Sequence, residues 1–269
     1  MSTPPGSDPL LPARLRALSV IADGERRTGR AWWRSASSFL GRVRRDVTAD
    51  GGVDPARVVD HQQFWTDEVN VRIVPTVATT VRGMFRRVTG REEPPGDPWV
   101  SDYLNAAGNR LVRLPDEVYA LIVREVESGI QAGDDIDTLT KRVDEVLSVS
   151  ASERWRNRAR TVARTETMGA VNAGALRSAQ LEAQARGDVA PFKMWISTDD
   201  ARTRPTHKAA DQQRTLLSEP FRVGGSVLMF PGDPNGPAAE VINCRCTLLP
   251  IVLGETIDWT DRQFRGTEN

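Results

Sequence analysis

The residues best equipped for chemistry lie in the last third of the chain. Ser197-Thr-Asp199-Asp200-Ala-Arg202-Thr-Arg204-Pro-Thr-His207 is the densest polar run, and Cys244-Arg-Cys246 follows further on. His207 and His61 are the only histidines, and Cys244 and Cys246 the only cysteines. An imidazole and two thiols are donors that zinc accepts, and Asp199, Asp200 or Asp211 offers a fourth ligand. The spacing is not CxxC, so the cysteines equally suit buried small hydrophobes beside an arginine. Two enzymatic versions use the same atoms. In one, His207 is a general base, Glu166 its carboxylate partner, and Arg202 or Arg204 an anion clamp. In the other, Cys244 is a nucleophile with His207 as base. Neither brings a nucleophile elbow, a phosphate-binding glycine loop or a metal motif of known spacing. The plainest alternative has Asp199 and Asp200 capping a turn while the arginines pair with acids elsewhere.

These residues must be held by the elements around them. Phe192–Ile196 reads as a strand that delivers the polar run to a loop at its end. Phe221–Phe230 reads as a hairpin turning on Gly224-Gly225. Val241–Leu249 reads as a last strand, on which Cys244 and Cys246 would share a face. Upstream the chain reads as helical. Residues 13–47 show a loose helical pattern interrupted by Gly24, Gly29 and Gly41. Asp54-Pro55 starts a long amphipathic helix over 54–90, with Val69, Ile73, Val77, Val81 and Met84 on its apolar stripe and a kink near Pro75. Glu92–Pro98 reads as a linker. Helices then start at Leu114-Pro115, ending at Gly129, at Gly133-Asp134-Asp135, and at Ser152-Glu153. The last runs to about Arg186, and its stripe of Ala163, Thr167, Ala170 and Gly174 is small enough for close packing against a neighbour.

Composition narrows the classes. The 269 residues carry 36 basic and 36 acidic side chains, which excludes a uniformly basic DNA binder and an acidic solvating tail. The charge is nevertheless blocky: +3 over residues 1–100, −5 over 101–150, +3 over 151–190 and −1 over 191–269. Arg82 and Arg86 belong to one acid-free stretch, and Arg156 and Arg160, with Arg164, to another. Such stripes suit phosphate or an acidic partner, against the default of a solvated helix face. Two cysteines two positions apart are at the outer edge of disulfide reach, so reduced thiols are expected. No secretory signal is visible at the N-terminus, and no apolar run approaches the ~20 residues of a membrane span.

Taken in order, Val162-Ala-Arg164-Thr-Glu166-Thr167, Asn172-Ala-Gly174, Trp195, Asp200-Ala-Arg-Thr-Arg204-Pro-Thr-His207, Phe221-Arg-Val-Gly-Gly225, Pro231-Gly-Asp-Pro234 and Asn243-Cys-Arg-Cys246 resemble the phage head morphogenesis domain of Mu F-like minor head proteins. The resemblance covers about Pro115 to Pro250. Asp211-Gln-Gln departs from the acid or glycine turn expected after the histidine. The order of elements, many helices and then a small β unit, gives an α+β layout with residues 1–12 disordered, a helical N-terminal arm over 13–91 and a linker over 92–98; the resemblance assigns the domain over 99–254, ahead of a tail over 255–269. Within the domain a helical bundle packs on a small, mainly antiparallel β unit. It also implies a non-enzymatic minor capsid protein inside the phage head, passing through the host cytoplasm during assembly. Its partners would be the portal, the scaffold or major capsid protein, and phage DNA, with no membrane and no resident cofactor beyond a candidate zinc on His207, Cys244 and Cys246. The motif residues Arg164, Glu166, Asp200, Arg204, His207, Asn243, Cys244 and Cys246 would form a shared polar core. The motifs end close to Asn269, so no toxin domain is expected behind them. The competing class is a metal-dependent or His-based enzyme acting on nucleic acid or nucleotides.

Overall fold

The computed structural model describes residues 11–50, 54–92, 96–148, 153–188 and 191–251. The expected disordered N-terminus and C-terminal tail fall almost entirely outside these. Seven helices precede the first strand: α1 (Leu11–Asp50), α2 (Pro55–Glu68), α3 (Val74–Thr89), α4 (Pro98–Leu111), α5 (Leu114–Ala132), α6 (Ile136–Leu147) and α7 (Glu153–Arg186). They are followed by β1 (Phe192–Ile196), the short α8 (Pro205–Ala209), β2 (Arg214–Leu216), β3 (Phe221–Val223), β4 (Ser226–Leu228), the short α9 (Ala238–Val241) and β5 (Thr247–Ile251). The fold is α+β, with a helical bundle and a small antiparallel β unit.

Local chemistry explains the element ends. The Asp54 side chain accepts the Ala56 N–H at 2.9 Å and so caps α2. Between α2 and α3 the chain makes one π-helical turn, Val69–Ile73, just ahead of Pro75. Proline has no N–H to give the preceding turn, and the widened turn accommodates that loss without breaking the rod. Asp135 caps α6 by accepting the Thr138 N–H at 2.8 Å. α5 ends at Gly133, in the left-handed region at φ 78°, and not at Gly129 as expected. Gly129 stays helical, and its missing side chain leaves room for Leu139 of α6 to pack against it.

The segment read as an arm does not stand apart. α1 and α3 pack along α7, and Trp32, Phe39, Leu40, Trp65, Val69, Ile73, Val77 and Val81 share one hydrophobic core with Ala170 and Leu176. The apolar stripe over 54–90 therefore faces inward and is covered by this chain's own helices. The small residues of α7 make the approach possible. A Cβ on Gly174 would come within 2.7 Å of the Val81 carbonyl oxygen, and one on Gly24 within 2.8 Å of Thr167 Cγ2. Gly24, Gly29 and Gly41 thus lie within one continuous helix, where Gly24 serves contact rather than a break. The linker reading of 92–98 is also revised at its end. Asp97 caps the unforeseen α4 by accepting the Trp99 N–H at 3.0 Å, and meets Arg177 of α7 at 2.7 Å.

In the β unit, β1 is central, paired antiparallel to β2 on one side and β5 on the other, with Phe192 opposite Leu216 and Ile251. β3 and β4 form a separate hairpin whose turn residues Gly224 and Gly225 both have positive φ, as a two-residue turn of this kind requires. Lys193 is fully buried under this layer, donating to the Leu217 and Met229 carbonyls, and burial lowers its pKa to about 8.

Candidate functional site

The predicted last strand begins later than expected. Val241 closes α9, Asn243 takes a left-handed φ of 58°, and only Thr247–Ile251 is strand. Cys244 and Cys246 therefore sit on a loop, and the turn at Asn243, not strand alternation, aims both thiols at His207. The Asn243 N–H donates to Thr165 Oγ1 of α7 at 3.0 Å, which ties the loop to the bundle. His207 lies on α8, started by Pro205, and not on an open loop.

The three side chains converge in the interior. His207 Nδ1 is 3.3 Å from Cys246 Sγ and 3.8 Å from Cys244 Sγ. Cys244, Cys246 and His207 are 1%, 2% and 2% exposed, and their ligand atoms all lie within 4.8 Å of one another. On the far side of the ring, Nε2 meets Glu240 Oε2 at 3.0 Å. Glu240 is held in turn by the Thr206 hydroxyl, which donates to Oε2 at 2.8 Å. Trp195 stacks edge-on against the imidazole, with centroids 5.3 Å apart. Gly224 completes the pocket wall: a Cβ there would fall 2.3 Å from Glu240 Oε1. The hydrogen bond from Cys244 to Cys246 pushes the Cys244 thiol up, and the same bond, assisted by His207, pulls Cys246 down.

The other predicted residues go to different places. Asp200 binds Arg245 in a two-pronged ion pair, with Arg245 Nη2 at 2.6 Å from Oδ1, and accepts the Arg202 N–H at 2.9 Å. This pairing holds its carboxyl well below the ordinary range. Asp200 is thus the turn-capping acid of the plainest alternative. Nor is Asp211 free to ligate, since it accepts the Ser197 N–H at 2.8 Å. Asp199 faces Lys208 at 3.9 Å. Arg204 donates to the Ile242 carbonyl at 2.5 Å, so it braces the cysteine loop instead of clamping an anion. Glu166 is not the partner of His207. It is buried on α7 in a forked pair with Arg110 of α4 at 2.8 Å, where burial raises its pKa against the pull of that guanidinium. Arg164 stands apart, 3.7 Å from Glu25 of α1. In the arginine stripes, Arg86 pairs with Glu92 and Arg160 donates to Asn157, and Arg82 and Arg156 are exposed yet also engaged. His61, the other histidine, is a core residue between Asp46 and Tyr119.

Sequence reasoning missed Glu240, Arg245 and the reach of Asn172. The Asn172 amide donates to the Pro231 and Cys246 carbonyls at 2.8 and 3.0 Å, and its oxygen accepts the Leu248 N–H at 2.9 Å. One buried side chain on α7 thereby joins the Pro231–Pro234 turn, the cysteine loop and β5. Beside it, a Cβ on Gly169 would lie 2.8 Å from the Gly232 carbonyl oxygen. The departure after the histidine resolves as Gln212 in the left-handed region at φ 60°, doing without glycine.

A long helix of small residues whose one amide fastens a Cys–His loop and an antiparallel sheet is an architecture in which the motifs build the domain itself. Residues 120–249 match the family described as Phage Mu protein F like protein. Minor head protein GP7 of Bacillus phage SPP1 is 32% identical over 135 residues, 50% of this chain and 41% of that protein. Uncharacterized protein YqbB of Bacillus subtilis is 35% identical over 101 residues, 36% of this chain and 32% of its own length. NAD(+)--arginine ADP-ribosyltransferase EFV of Enterococcus faecalis is 28% identical over 145 residues, 54% of this chain and 28% of that protein. The chain thus spans less than half the length of each of these curated relatives. No solved structure matches it.

Proposed function

We propose that this protein is a minor head protein of a tailed bacteriophage, residing inside the head and acting in head assembly with the portal vertex. The observation that carries this reading is the match of residues 120–249 to the Mu F-like family, beside a relative named as a minor head protein that is 32% identical over 135 residues. The site favours an assembly role over turnover. Its imidazole and thiols are fully buried, so a substrate would have to open the domain to reach them. The geometry Cys246–His207–Glu240 has the order of a thiol, base and orienting acid, but a nucleophile needs access as well as a base. The name of the ADP-ribosyltransferase relative belongs to a protein of which this alignment covers 28%.

Work inside the head also gives the arginine stripes a use. Arg82, Arg86, Arg156 and Arg160 are exposed on helix surfaces outside the acidic α5–α6 region. Contact with packaged DNA through them predicts binding that weakens steeply as salt rises. The decisive experiment co-expresses the protein with the portal of the same phage and measures the mass of what co-purifies. A complex of portal oligomer with this chain is expected, and capsids assembled in its presence should retain it. Two separate species, with capsids that exclude the chain, would overturn the proposal.

A further inference from the structure

We propose that His207, Cys244 and Cys246 bind one zinc-class divalent cation, which clasps the cysteine loop onto α8. Three observations point the same way. The first is separation. Tetrahedral zinc with Zn–S ~2.3 Å and Zn–N ~2.05 Å places ligand nitrogen and sulfur about 3.5 Å apart. The observed 3.3 and 3.8 Å lie on either side of that value, with all ligand atoms within 4.8 Å. The second is the tautomer. Glu240 Oε2 is an acceptor for Nε2–H, and the tautomer that uses it turns the Nδ1 lone pair toward the two thiols. A carboxylate behind a histidine is the arrangement that orients a metal-ligating imidazole and raises its basicity. Glu240 is itself set by Thr206 and by the absence of a side chain at Gly224.

The third is charge. On binding, both thiols lose their protons to solvent, and two thiolates, a neutral imidazole and a divalent cation sum to zero. The ligand set is then neutral, as residues 1–2% exposed require, and the one remaining charge, the Glu240 carboxylate behind the ring, is held by the Thr206 hydroxyl. The fourth position falls to a water, since Asp199, Asp200 and Asp211 are held by Lys208, Arg245 and the Ser197 N–H. The cation acts as a cross-link: it joins the loop after α9 to α8, and Asn243 and Asn172 carry that link on to α7. Other buried groups explain themselves by pairing, such as Glu166 with Arg110 and His61 with Asp46 and Tyr119.

The test uses the full chain purified under reducing conditions without chelator. Elemental analysis and native mass spectrometry should give close to one zinc per chain. After chelation, added Co2+ should produce the visible bands of a tetrahedral site together with thiolate-to-cobalt charge transfer in the near ultraviolet, which reads sulfur ligation in the wild-type chain. Cys246→Ser should lose the charge-transfer band or halve it, and chelator should lower the melting temperature of the wild type but not of that variant. A chain below ~0.2 zinc as purified that also takes up neither Zn2+ nor Co2+ would overturn the proposal. So would a chain lighter by the hydrogens of a Cys244–Cys246 disulfide that binds no metal after reduction, or metal binding undisturbed in Cys246→Ser.

Discussion

The contact between α7 and α3 and the contact between α7 and the cysteine loop are held by opposite means. Against α3, α7 offers Gly174 and Ala170, and the contact is backbone against backbone with no polar group required. Against the loop and β5 it offers Asn172 and Thr165, which supply hydrogen bonds to segments with irregular backbone. The first contact rests on the absence of side-chain atoms, the second on particular atoms in particular places. A region of irregular loops cannot satisfy its own peptide groups, so its buried N–H and C=O groups must find partners on a rigid neighbour. That is why Asn172 and Thr165 are buried against the cysteine loop and β5.

Gly174→Val should be the most severe change, because its branches would meet the Val81 carbonyl and Met84. Loss of ~3 kcal/mol or more in denaturant unfolding is expected, and a near-native midpoint would show that α3 and α7 can part cheaply. Asn172→Ala removes three buried hydrogen bonds and leaves two carbonyls and one N–H unpaired, for ~3 kcal/mol. Its damage should be local: hydrogen exchange ought to rise in β5 and the 231–234 turn before α1 and α3. Uniform exchange across the chain would mean that the two contacts are not separable. Gly224→Ala combines a positive φ with a clash against Glu240, and ~1–2 kcal/mol is expected, together with a shifted His207 ring signal in NMR. Arg86→Ala should be smallest, within ~0.5 kcal/mol, since its ion pair with Glu92 is exposed. Its only visible effect should be on salt-dependent DNA retention.

The helices were legible because period and caps are local signals. Asp54-Pro55 and the small stripe of α7 read directly, and the same Asp-Pro signal at Asp97-Pro98 announces α4, though a proline-rich stretch just before it masks it. What was not legible is long-range. An apolar stripe at helical spacing says that a face must be covered, but not by whom, and here the cover for 54–90 is α1 and α7 rather than another protein. The convergence of His207, Cys244 and Cys246 on one point was anticipated from residue type, but for the wrong geometric reason, since a left-handed Asn243 replaces strand alternation. Glu240 was invisible because an acid in an Ala-Ala-Glu-Val stretch carries no spacing signal toward a histidine 33 positions away. Glu166 stands out as an acid in a motif, but its partner Arg110 lies 56 residues upstream on α4, and no local spacing links the two.

The structural role proposed for the His207 cluster is to hold α8, α9 and the cysteine loop together. The most direct test is equilibrium unfolding of the full-length His207→Ala protein beside the wild type. The account predicts a loss of ~2–4 kcal/mol, from the vacated ring volume and the unpaired Glu240 carboxylate. An unchanged unfolding midpoint, with the variant defective only in a function of the assembled head, would contradict it.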